Sequence, residues 1–80
     1  MDSKELERRL KELCEENLGC HPHEIKLESK FIDDLGADGM DVIELAIACE
    51  EEWRIEITNE ELEKISTFKD ALKFVEEKLK

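Results

Sequence analysis

The chain has 80 residues, 23 of them Asp or Glu and 12 Lys or Arg, for a formal net charge of −11. That length suits one small domain over residues 1–80, and no apolar run nears the roughly 20 residues that span a bilayer. So large an acidic excess is repelled by nucleic acid and by anionic membranes, which excludes both as targets and leaves basic proteins as natural partners.

A first helix is predicted over about Lys4–Asn17, because Leu6, Leu10, Leu13, Cys14 and Leu18 recur at helical spacing and form one stripe. Asp2 or Ser3 suits its N-terminal cap, with Glu5 in capping-box position after Asp2. Gly19 ends it, since glycine readily takes the left-handed conformation found just past a helix. Residues 20–38 then read as a long connection holding Pro22 and Gly36. A loop of that length is uncommon unless pinned or functional, and Ile25, Leu27, Phe31, Ile32 and Leu35 are the expected pins.

A second helix is predicted over about Gly39–Trp53, capped by Asp38 with Asp41 in the reciprocal position three residues on. At about 100° per residue, Val42, Leu45, Ala46, Cys49 and Trp53 share a sector that faces the core. Asp41, Glu44, Glu51 and Glu52 share the opposite one. Met40, Ile43 and Ile47 make a second, narrower apolar strip beside Glu44 and Glu51. An apolar centre with a charged edge is the layout of a protein docking face, and a wider core contact explains the strip equally well.

A short helix is expected at about Glu60–Lys64, with Thr58 and Glu61 in capping-box spacing. The last helix starts after Thr67, with Asp70 three residues on, and buries Phe68, Ala71, Leu72, Val75 and Leu79. Only Arg54-Ile-Glu-Ile57 alternates like a strand, and too briefly to make one. The expected fold is therefore all-α: a small bundle of three longer helices and one short one, with a long loop between the first and second.

The acidic excess is not uniform. Residues 33–63 hold twelve acids against the single base Arg54, so the whole −11 lies there and the rest of the chain is neutral. A concentrated block suits the steering of a basic partner; a solvated face without one is the plainer alternative. The three cysteines, Cys14, Cys20 and Cys49, are odd in number and form no Cys-x-x-Cys pair, and the N-terminus lacks the apolar segment of a signal peptide. Both features point to a reduced, cytoplasmic chain.

Chemical constellations are sparse. Asp34-Leu-Gly-Ala-Asp38-Gly39 has the glycine of a calcium loop at the sixth position, but Gly36 stands at the third and Leu45 at the twelfth, where ligands are required. Cys20, His21 and His23 have zinc-ligand chemistry in a very compact cluster with no fourth ligand at a recognised spacing, so no metal is expected. Cys14 and Cys49 lie on apolar stripes, where free cysteine packs as a small hydrophobe. No pairing of nucleophile and base stands out, and the chain does not read as an enzyme.

The segment Phe31-Ile-Asp-Asp-Leu-Gly-Ala-Asp-Gly39-Met-Asp-Val-Ile-Glu-Leu45 resembles the acyl carrier proteins of fatty acid synthesis, whose motif reads D-L-G-A-D-S-L-D-x-V-E-L. The similarity runs through nearly the whole chain, including Leu18-Gly19, Glu50-Glu-Glu-Trp53 and Glu61-Leu-Glu-Lys-Ile-Ser-Thr67. It implies a bundle in which a Ser opening the second helix carries 4′-phosphopantetheine and in which acidic residues of that helix dock on basic patches of partner enzymes. On this chain the resemblance assigns docking to Asp38, Met40, Asp41, Glu44, Ile47, Glu50 and Glu51, and the wall of an acyl pocket to Ile43, Leu45, Ala46, Cys49 and Ile57. The partners implied are a phosphopantetheinyl transferase and enzymes of acyl-chain synthesis or transfer, met by a monomer.

The motif's Ser is Gly39 here. Glycine has no side-chain oxygen to form a phosphodiester, so the resemblance implies no cofactor on the chain as written. Ser29 and Ser66 lie outside the motif position. Two explanations fit: a carrier whose Ser has been replaced, and a natural relative that no longer carries and serves as a docking or regulatory module. The otherwise intact motif favours the first.

Overall fold

The computed structural model describes residues 2–80. Four α-helices form the fold: α1 (Ser3–Leu18), α2 (Gly39–Trp53), α3 (Asn59–Glu63) and α4 (Phe68–Lys78), with one 3-10 turn at Pro22–Glu24. The all-α bundle of three longer helices and one short one is the architecture expected from the sequence.

Local chemistry places the helix ends. Asp2 caps α1 by accepting from Lys4 N, and Gly19 closes it in the left-handed region at φ 74, its N–H donating to Glu15 O. Full capping boxes open the other three: Asp38 with Asp41, Thr58 with Glu61, and Thr67 with Asp70. Each box satisfies two backbone donors that a helix start otherwise leaves unpaired. The end of α2 carried no stop signal in the sequence. It stops on Arg54, a non-glycine residue at φ 53.

The core lies where α1 packs on α2 and α4. Leu6, Leu10, Leu13 and Cys14 of α1 meet Leu45, Cys49 and Trp53 of α2 and Phe68, Ala71, Leu72 and Val75 of α4. Burying each such large side chain contributes about 1.5–3 kcal/mol. Leu79, expected in this stripe, stands outside it at 39% exposed. It is the C-cap residue of α4 and borders a surface depression with Ser3, Leu6 and Glu76, where among the described residues no further element covers it.

The long loop is pinned, but by fewer side chains than expected. Ile25 and Phe31 are buried and Leu35 is half-buried, whereas Leu27 and Ile32 are 44% and 58% exposed. The cause is backbone pairing. Phe31 N donates to Ser66 O, Phe68 N to Ser29 O and Lys69 N to Leu27 O, around an antiparallel bridge between Lys30 and Thr67. Ser29 and Phe31 flank the bridging Lys30 and are buried, whereas Leu27 and Ile32 fall in the turns before and after the bridge and are carried outward. Ala37, buried although not anticipated, donates its N–H to Phe31 O and closes the loop just before α2.

Candidate functional site

Gly39 is the first residue of α2 and is exposed. Its backbone is set by its neighbours: Asp38 Oδ1 accepts from Asp41 N at 2.8 Å, and Asp41 Oδ2 accepts from Asp38 N at 3.2 Å. A Cβ placed on Gly39 would meet no atom within 4 Å. Nothing in the packing therefore demands glycine, and φ there is not positive.

Gly39 sits on the wall of an open groove of about 720 Å³ between α2, α3 and the loop, with Phe31, Ile32, Val42, Ile43, Leu62 and Ile65 as its apolar lining and Asp33 and Glu63 among its polar residues. The one hydroxyl on this groove belongs to Ser66, whose Oγ donates to Asp70 Oδ2 at 3.2 Å. Ser29 is buried, its Oγ accepting from Lys26 N at 2.9 Å. No hydroxyl stands at the opening of α2.

Beneath the groove lies a smaller apolar cleft of about 20 Å³. Four of the five residues expected as an acyl-pocket wall, Leu45, Ala46, Cys49 and Ile57, line it. Ile43 lines the outer groove instead. Phe31, Val42, Leu62, Ile65 and Phe74 also line the cleft and were not foreseen as wall residues. The spacing of Leu62 and Ile65, one turn apart, was a usable signal; the inward turn of Phe74 was not. The volume is about that of one water. Burial pushes the Cys49 thiol up to about 12, which leaves it an inert lining group rather than a nucleophile.

The carboxylates assigned to docking divide by what they already hold. Glu44 and Glu51 are exposed and form no ion pair among the described residues. Asp38 and Asp41 serve the capping box while keeping surface access. Glu50 is half-buried, and its Oε2 accepts from Ile57 N at 2.9 Å, so its first role is to shape the segment after α2. Met40, Ile43 and Ile47 are 63%, 42% and 48% exposed. The strip is therefore a surface feature and not a wider core contact.

His21 and His23 stack with ring centroids 5.5 Å apart, both exposed. No group of three or more potential metal ligands gathers among the described residues, and no described helix is long and apolar enough to cross a membrane.

Residues 8–75 match the family described as "Phosphopantetheine attachment site". The acyl carrier protein of Wolinella succinogenes is 51% identical over 67 residues, covering 84% of this chain and 88% of that relative.

Proposed function

The chain belongs to the acyl carrier protein family, whose members are carriers and not enzymes, and we propose that it is a carrier of fatty acid or related acyl or polyketide synthesis held without its prosthetic group. The observation that carries this reading is Gly39, first residue of an intact α2 start, set in open space and lacking a hydroxyl. The family's 4′-phosphopantetheine supplies a thiol on a flexible arm, and its phosphate needs a side-chain oxygen that glycine does not have.

What remains is recognition by partner enzymes of acyl-chain synthesis or transfer that present basic patches. Glu44 and Glu51, which form no ion pair among the described residues, attract Lys and Arg, with Asp38 and Asp41 at the helix start adding to the field. Met40 and Ile47 supply the apolar contact at the centre. Self-repulsion from −11 charges keeps the chain a monomer, and its three free thiols suit a reducing cytoplasm.

The test is the intact mass of the chain and of Gly39→Ser, each incubated with coenzyme A and a broad-specificity phosphopantetheinyl transferase. Gain of the arm by the variant alone is expected. If neither chain gains it, the recognition surface has diverged, and a non-carrying docking or regulatory module is the better reading.

A further inference from the structure

We infer that this chain is a dead-end competitor of the enzyme that loads its relatives, occupying that enzyme's carrier site beside coenzyme A without accepting the transferred group. The inference rests on the reading that the frame around Gly39 is still a carrier frame. A family defined by a phosphopantetheine attachment site requires an enzyme that moves this group from coenzyme A onto a side-chain hydroxyl. In that transfer the hydroxyl oxygen bonds to the pantetheine-side phosphorus while the pyrophosphate P–O bond breaks. Adenosine bisphosphate leaves with the electron pair, and the hydroxyl proton passes to a base or to solvent.

Position 39 separates binding from this chemistry. The start of α2 is built by Asp38 and Asp41, with no help from a residue-39 side chain. The site of the missing Cβ touches nothing within 4 Å, so a hydroxymethyl group there displaces no neighbour and its loss lets none collapse. Glu44, Glu51 and Met40 stay exposed on the same helix for a partner to reach. The remaining hydroxyl on the groove, Ser66 Oγ, is engaged with Asp70 and belongs to another element. Removing the hydroxyl alone takes away the atom that forms the new bond and leaves the docking contacts as they were, so ground-state binding persists while the transition state is lost. The complex can only dissociate.

Gly39→Ser supplies its own acceptor for the test. Its rate of loading by a phosphopantetheinyl transferase with coenzyme A is measured against rising concentrations of the unsubstituted chain. Competitive inhibition is expected, with an inhibition constant within about threefold of the acceptor's KM, since the two chains differ by one side chain that touches nothing within its own fold. Glu44→Lys with Glu51→Lys in the inhibitor should weaken it at least about tenfold. An acceptor that loads normally but is not slowed by the chain at about a hundredfold over KM overturns the inference and leaves the carrier reading standing. An acceptor that does not load, while its helical circular dichroism matches that of the parent, removes the carrier reading and the inference with it. Direct titration of the chain into transferase and coenzyme A needs no variant, and absence of binding there also overturns the inference.

Discussion

Glu50 Oε2 accepts a hydrogen bond from the backbone N–H of Ile57 at 2.9 Å, tying the last turn of α2 to the segment that leads into α3. Because Ile57 lines the apolar cleft, a carboxylate on the acidic helix helps set the cleft's floor. Glu50→Ala leaves a half-buried N–H unpaired, and a loss of about 1–3 kcal/mol is expected in urea denaturation. Glu51→Ala, its exposed neighbour, should stay within about 0.5 kcal/mol. Equal effects of the two would show that the Glu50 bond does not hold the segment.

Phe31 and Ile32 make a paired test of the loop. Phe31 is 1% exposed and Ile32 58%. Phe31→Ala should cost about 3–5 kcal/mol, as expected for a large buried aromatic, and Ile32→Ala less than about 1 kcal/mol. Chemical denaturation midpoints decide it, and comparable losses would mean that both residues pin the loop.

Arg54 closes α2 at φ 53, where a side chain is strained and glycine is not. Arg54→Gly is therefore expected to raise stability by about 0.5–1 kcal/mol, net of the added freedom of the unfolded chain. A lower melting temperature would point to a contact of the Arg54 side chain that outweighs the backbone strain.

Thiol reactivity should follow burial. Cys14 and Cys49 are buried and desolvation raises both thiols, whereas Cys20 is half-buried with a smaller upward shift, its Sγ donating to Cys14 O at 3.8 Å. Brief alkylation of the native chain near about pH 8 should label Cys20 first, and denaturation should expose all three. Rapid native labelling of Cys49, read by peptide mass mapping, would show that the cleft opens on the timescale of the reagent.

The backbone N–H groups of Ser66 and Thr67 donate to the Asp70 carboxylate, each at 3.2 Å, and hold its pKa below the usual range. A carboxyl lowered in the folded state adds stability that is complete above its unfolded pKa and is lost as pH falls through the folded one. The deficit of Asp70→Asn should thus be full at neutral pH and close only on acidification below the usual carboxylate range. A deficit independent of pH, by urea midpoints, would show that the charge of Asp70 plays no part.

The parts of the molecule read correctly from sequence are those controlled by neighbours along the chain. The start of α2 at Gly39 followed from Asp38 and Asp41, three residues apart, and the α3 and α4 starts from Thr58 with Glu61 and Thr67 with Asp70. The departure from the family motif at Gly39 was equally local. Other properties depended on what lies across the fold. Glu50 and Glu51 are chemically identical neighbours, yet only the return of the chain at Ile57 makes one a structural acceptor and leaves the other free. Ile32 looked as good a pin as Phe31, but the turn that follows the Lys30–Thr67 bridge, closed by Asp34 N and Leu35 N on Lys30 O, carries it outward. The exposed strip of Met40, Ile43 and Ile47 fitted a core as well as a surface, and it was the placement of α1 and α4 on the opposite side of α2 that left it bare. Capping and periodicity act over a few residues and are written in order. Which face is covered depends on contacts between elements far apart in the chain, and those exist only once the helices have packed.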